Sequence, residues 1–343
     1  MTSYFLRRLL LVIPTFIGIT MIVFVITHFV PGGPIERQIA AYRMAVAGEA
    51  GGGGGPVGMN TDIPPDALEE LKRFYGFDKP VHVRYLTWLG NVVRFDLGTS
   101  YVYQDPVWEV ISSRFPISIT LGLTGFVLAY LVCVPLGVIK AVWNGSRFDA
   151  LSSFLVFLGY SIPGWALGTG LLVLFGGGSF WNVFPLGGFR PDDWEYRSLW
   201  GQIVGQAYYM VLPVTCYMVG SFATLTILTK NSLLENLGQD YVRTAFAKGL
   251  PERRVIFVHA LRNSLIPLAT GLGQVFSLIL AGSFLIERVF NIDGMGYLGY
   301  TSILQRDYPV ALGILVIGSF LLLVGNILSD MIYAAVDPRI RFK

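Results

Sequence analysis

The sequence predicts an all-α membrane protein: six transmembrane helices with an external segment between the first and the second. Three observations predict it. Hydrophobic residues make up 53% of the 343 residues and charged residues only 14%, against about 25% charged in a soluble domain. Mean hydropathy is +0.59. The charges also cluster, which leaves uncharged windows close to the roughly 20 residues that span a hydrocarbon core. A formal net charge of +3 is too small to suggest nucleic-acid binding. Cys133 and Cys216 both sit in apolar windows and read as packing residues, with no disulfide framework or metal site implied.

The first span runs from about Leu9 to Val30, behind Arg7 and Arg8. Its apolar run is longer than the roughly 7–15 residues of a signal-peptide core. It ends at PGGP with no A-x-A pattern, so a retained helix is expected. The other spans are expected near 117–139, 151–175, 206–229, 265–286 and 309–334. The organisation is then an N-terminal helix over 1–30, an external segment over 31–115, and a core of five helices over 116–343. Pro14, Pro135, Pro163 and Pro213 fall within spans; there they either kink or open the helix to help gating, or simply pack.

Basic residues set the expected orientation. An even number of spans puts both termini on one side. If that side is the cytoplasm, it holds Arg7, Arg8, Lys140, Arg147, six Lys/Arg of 230–262, and Arg339, Arg341 and Lys343. The two short loops opposite hold only Arg190, Arg197, Arg288 and Arg306. This is the positive-inside bias; the long 31–115 segment is largely exempt from it.

That external segment passes through AGEAGGGGGPVG, a glycine run with little tendency to order. PPDALEELKRFYGF then reads as a short helix with Pro65 in its first turn and Gly76 near its end. VHVRYLTWLGNVV reads as an amphipathic helix with Val81, Tyr85, Trp88 and Val92 along one side, either at the membrane interface or over the external mouth. With fewer than 60 ordered residues expected, it reads as an accessory region, not an independent domain.

The polar segment 230–263 is the most informative. Asp240 is expected to cap a helix running through Lys248, and Gly249 to end it in a left-handed turn. Pro251 suits the first turn of a second helix, with Glu252 near its positive end. The result is a helix–turn–helix bracket. Ala245, Ala247 and Gly249 carry little bulk, so another surface could approach the backbone, and flanking Arg and Lys could pair with its acids. The residues alone fit a second reading equally: an amphipathic loop pinned to anionic lipid headgroups.

RTAFAKG at 243–249 followed by HALRN at 259–263 resembles the cytoplasmic coupling loop of peptide-type ABC importer permeases, which docks a short helix into a cleft on the ATPase subunit. The resemblance covers nearly the whole chain, in order. YFLRRLLLVIPT, VPGGP, YGFDKP, RFDLGTS, Pro106–Val107, RFPISITLGL, IERVFNIDGMGYLGY, RDYPVALG and DPRIRF carry it. The glycine-rich insert, GSRFD at 145–149 and the GGSF…FPLGG stretch resemble in particular the Yej-type peptide permeases. Two departures stand out. Arg243 and Thr244 occupy the places of the Glu and first Ala of the broader importer motif, and HALRN replaces its hydrophobic-Leu-Pro ending; peptide permeases as a group share this variant.

The resemblance implies a type I ABC importer permease fold in a bacterial inner membrane. It implies an ATPase-docking surface at Arg243, Thr244, Ala245, Ala247, Lys248, Gly249, Arg253 and Arg254. The implied partners are a second, similar permease, two ATPase subunits that bind the ATP and Mg, and an external peptide-binding protein. This chain needs no cofactor of its own. It has no G-x-x-x-x-G-K-[ST] phosphate loop. The rival class is a secondary carrier or channel, but such proteins place ionisable residues inside the membrane despite a cost of at least ~2.5–3.5 kcal/mol each. Here the span centres hold almost none. His28 lies near a span end and Asp330 follows Asn326 and Ser329; Asp330 either pairs with a basic residue of the bracket or reaches water. An enzyme finds no support: His28, His82 and His259 have no metal-ligand spacing, and no G-x-S-x-G occurs.

Overall fold

The computed structural model describes residues 2–29, 69, 79–177, 180–271 and 282–336. The chain falls into two compact units. The first comprises Met1–Val12, Arg114–Leu298 and Gly318–Lys343; the second comprises Ile13–Ser113 and Gly299–Ile317. Among the described residues the regular structure is helical. Four helical stretches are long and apolar enough to cross a membrane: Arg7–Val25, Val107–Val142, Leu199–Leu237 and Tyr308–Met331. A bent pair, Arg147–Ser161 with Gly164–Phe175, makes a fifth crossing if it counts as one. The span expected at 265–286 lies partly outside the described residues, as do the glycine run, nearly all of the helix expected from Pro64, and DPRIRF. The His28 side chain is also outside them.

In the second unit, α1 (Thr2–Phe29) contributes its residues from Ile13 onward. α2 (Val81–Val93) is the amphipathic helix read from the sequence. It packs on α1 through Tyr85, whose hydroxyl lies 3.0 Å from Thr20 Oγ1 and donates to the Ile17 carbonyl at 3.1 Å. The Phe24 ring sits 5.5 Å from both Tyr85 and Trp88. Tyr85 and Val92 are buried, but Val81, the first residue of the helix, is exposed. A turn leads to α3 (Val107–Ser112). There the buried Asp307 carboxylate accepts from the Ser100 hydroxyl and from the backbone N–H groups of Tyr101 and Val102.

The first unit is built on α4 (Phe115–Val142) and α7 (Leu199–Leu237). Gly125, Ala129, Cys133, Gly137 and Ala141 recur every fourth residue along α4, and all are buried. Such a seam of small residues lets two helix backbones approach closely. A Cβ on Gly125 would lie 3.0 Å from that of Tyr217, and one on Gly137 would lie 2.8 Å from the Thr226 carbonyl oxygen. Cys133 and Cys216 are both buried here as free thiols.

Two expectations need correction. The 151–175 region is not one straight span: α5 (Arg147–Ser161) and α6 (Gly164–Phe175) meet at 98°. Ile162 is extended (φ −91°, ψ 120°) and Pro163 caps α6. A proline ring disfavours helical geometry at the residue before it, which breaks the span there. α7 is also far longer than 206–229. Its 39 residues rise about 58 Å, nearly twice a hydrocarbon core. Ser198 caps its start by accepting from the Gly201 N–H, and it runs until Gly238; polar residues such as Asn231 and Glu235 do not stop a helix.

After α7 come α8 (Asp240–Ala247), the short α9 (Glu252–Arg254), a π turn over Val255–Ala260, α10 (Leu261–Ser264) and α11 (Ile266–Gly271). α12 (Phe284–Val289), α13 (Met295–Leu304) and α14 (Tyr308–Val336) complete the described chain. Asp330 of α14 forms an ion pair with Arg8 of α1, so its partner is a terminal-helix arginine and not a residue of the bracket.

Candidate functional site

The bracket has the predicted form. Asp240 opens α8, but Gln239 occupies the cap position and no side chain caps it; the Asp240 carboxylate instead sits 3.5 Å from Arg243 Nη1, with both groups exposed. The helix ends in a complete Schellman motif. Gly249 N–H donates to the Phe246 carbonyl at 2.9 Å and Leu250 N–H to the Ala245 carbonyl at 3.4 Å. Gly249 has φ +77°, the left-handed geometry such a turn needs. Pro251 caps α9, and its carbonyl accepts from Arg254 and Val255 N–H.

The bracket has an apolar underside. Val242 and Ala245 of α8 and Val255, Ile256 and Ala260 of the π turn bury together with Leu233 of α7 and Val138 and Ala141 of α4. Leu250 packs against the same cluster, as the apolar contact of a Schellman turn requires. Buried Ser232 and Ser264 clamp the two arms through paired hydroxyl-to-carbonyl hydrogen bonds. The bracket is therefore fixed to the ends of α4 and α7. The π turn lies within the second arm, between α9 and α10; such turns recur at functional sites.

Of the eight residues singled out by resemblance, seven are exposed: Arg243, Thr244, Ala247, Lys248, Gly249, Arg253 and Arg254. Ala245 is turned inward, 6% exposed, so its small size serves the chain's own packing. Open space surrounds the Gly249 α-carbon, with no atom within 4 Å of a Cβ placed there. Exposed Tyr241, Phe246, Phe257 and Val258 accompany the basic residues. The sequence reading missed them. Helical spacing gives no signal for them, since Tyr241 lies four residues before Ala245 and Phe246 four after Val242, flanking the buried pair. The result is a positively charged ridge with exposed aromatic side chains, backed by the buried apolar cluster.

A second polar centre lies in the 282–298 segment. Glu287 is fully buried and accepts from Tyr297 N–H at 2.6 Å. The Tyr217 hydroxyl lies 3.4 Å from Glu287 Oε1 and accepts from Ser283 N–H at 2.8 Å. Burial pushes the Glu287 carboxyl above the ordinary range, against the pull of the N–H donors. A Cβ on Gly294 would lie 2.7 Å from the carboxyl carbon, so only glycine lets this loop close over the acid. The sequence reading placed no role on Glu287.

Residues 133–342 match the profile of the binding-protein-dependent transport system inner membrane component family. The chain is 41% identical to the inner membrane ABC transporter permease protein YejB of Escherichia coli O157:H7, over the whole of both chains. It is 38% identical to the peptidoglycan transport system permease protein YejB of Agrobacterium fabrum, covering 100% of this chain and 99% of the relative. It is 36% identical to the oligopeptide transport system permease protein AppB of Bacillus subtilis, again over both full lengths. With the profile covering the end of α4, all of α7 and the bracket, the chain belongs to the family of binding-protein-dependent transport system inner membrane components, the permease subunits of ABC importers.

Proposed function

We propose that this chain forms, with a second similar permease, the path by which peptides enter the cytoplasm. ATP is hydrolysed on two separate ATPase subunits, one docked on the bracket. Both termini and the bracket are cytoplasmic, as the distribution of Lys and Arg favours. A peptide-binding protein delivers cargo to segments 31–115 and 287–308. The observation that carries the reading is the bracket itself: an exposed basic ridge at Arg243, Lys248, Arg253 and Arg254 backed by a buried apolar cluster. A ridge held this stiffly passes on a push and does not absorb it. ATP binding closes the ATPases, displaces the bracket, and rocks the helices between inward and outward openings. Peptide cargo is supported by relatives named for oligopeptide and peptidoglycan transport.

The test is uptake of a labelled oligopeptide into vesicles containing the assembled complex. Uptake requiring ATP, the ATPases and the binding protein supports the reading. Uptake by this chain alone, driven by an ion gradient, overturns it.

A further inference from the structure

α5 is weakly held by apolar packing. Of its fifteen residues only Asp149 and Val156 are buried, while Leu151, Phe154, Leu155, Phe157 and Leu158 are each about half exposed or more. Its attachment is polar and concentrated in its first two turns. Lys230 Nζ of α7 lies 2.9 and 2.7 Å from the two Asp149 carboxylate oxygens. Lys140 Nζ of α4, 1% exposed, lies 3.1 Å from Asp149 Oδ1. It donates to the Asp149 carbonyl at 2.9 Å and to the Ser152 and Ser153 hydroxyls at 2.8 and 2.7 Å. An ammonium has three protons, and α5 takes all three of Lys140's. Gly145 N–H completes the cage around Asp149 at 3.1 Å.

Both lysines stand beside the bracket's foundation. Lys140 lies between Val138 and Ala141, and Lys230 one turn before Leu233; these three apolar residues bury against α8 and the π turn. We propose that Asp149 is the post through which the bracket moves the broken span: Lys140 and Lys230 carry the displacement of the α4 and α7 ends into the first turn of α5, and hence to the 98° break and α6. This rests on the ATP-driven reading above. Asp149 is a positioning residue; it touches neither cargo nor nucleotide.

The experiment uses the complete complex in proteoliposomes, with copurification of the ATPases, ATP hydrolysis and peptide uptake measured together. Asp149→Asn should keep assembly and hydrolysis while uptake per ATP falls about tenfold, the size of a typical coupling between sites. Asp149→Glu should recover much of the loss. Lys230→Gln, which leaves Lys140 in place, should fall between. As a second readout, spin labels at exposed Asn231 and Leu151 should keep a fixed separation on ATP binding in the otherwise wild-type chain and change it in Asp149→Asn. Wild-type uptake per ATP in Asp149→Asn overturns the proposal. So does loss of assembly, hydrolysis and uptake in equal proportion in both neutral variants, which would mark a purely structural cluster. Failure of the functional reading looks different: the wild-type complex itself would show no ATP-driven peptide uptake.

Discussion

Ser232 and Ser264 hold each other's backbones across the root of the bracket. The Ser232 hydroxyl donates to the Ser264 carbonyl at 2.9 Å, and the Ser264 hydroxyl lies 3.3 Å from the Ser232 carbonyl. The clamp is unequal, because Ser264 Oγ is closer to the Ala260 carbonyl, at 2.8 Å, and one proton favours one acceptor. Ser232→Ala should therefore cost about 1 kcal/mol, and Ser264→Ala distinctly less across the clamp. Denaturant unfolding of the purified chain in detergent measures both. A Ser232→Ala variant as stable as the wild type would show that the Ser232 hydroxyl does not hold the clamp.

Gly249 isolates the backbone contribution to the bracket's turn. Its φ is +77° and nothing lies near its missing Cβ, so substitution brings strain without a clash. Gly249→Ala should destabilise by about 1 kcal/mol. Gly249→Asn should cost less, since Asn tolerates the left-handed region, and Gly249→Val more. ATPase copurification should follow the same order. Equal losses for Asn and Val would point to a buried contact at this site and not to backbone geometry.

These two sites differ in how far the sequence revealed them. The turn at Gly249 was legible because glycine after a helix and proline two residues on are local signals. So was the face of α2 carrying Tyr85 and Val92, since helical periodicity reports which side buries. The break at Ile162–Pro163 was hidden by reading hydropathy in windows, which average across a change of direction. Ala245 was ambiguous in kind: a small residue suits both a partner's approach and the chain's own packing, and only the burial of Val242 beside it decides. Asp149, Glu287 and Asp307 were not read as polar centres. Each has a partner 81, 70 or 207 residues away, and no local pattern encodes those pairings, although Lys140 and Tyr297 lie only 9 and 10 residues from Asp149 and Glu287.

The small-residue seam gives a contrast between two glycines. A Cβ on Gly137 would meet the Thr229 Cβ at 2.5 Å and the Thr226 carbonyl oxygen at 2.8 Å, and backbone cannot step aside. Gly137→Ala should force α4 from α7 and cost about 1–3 kcal/mol. Gly90, inside α2, has nothing within 4 Å. Gly90→Ala should stabilise by about 0.4–1 kcal/mol, by restricting the unfolded chain. Thermal unfolding of both variants in the same detergent decides; a neutral Gly137→Ala would mean the two helices are not held at this spacing.

Glu287 should make the 282–298 segment sensitive to pH. Burial raises its folded pKa above the ordinary carboxyl value, so the folded loop binds a proton more readily than the open one. The sign follows from linkage. Stability of the closed loop is greatest below the unfolded value of about 4.3, falls as pH rises toward the folded value, and levels off above it. Hydrogen exchange of the segment's amides, corrected for the intrinsic rate, should show the opening free energy falling across this range. Glu287→Gln removes the titration but turns an NH2 toward the N–H donors of Ser283 and Gly296 that serve the carboxylate. It should open more readily by about 1–3 kcal/mol and show no slope with pH. An opening free energy that rises with pH in the wild-type chain would mean that the surrounding N–H groups outweigh desolvation and hold the carboxylate ionised.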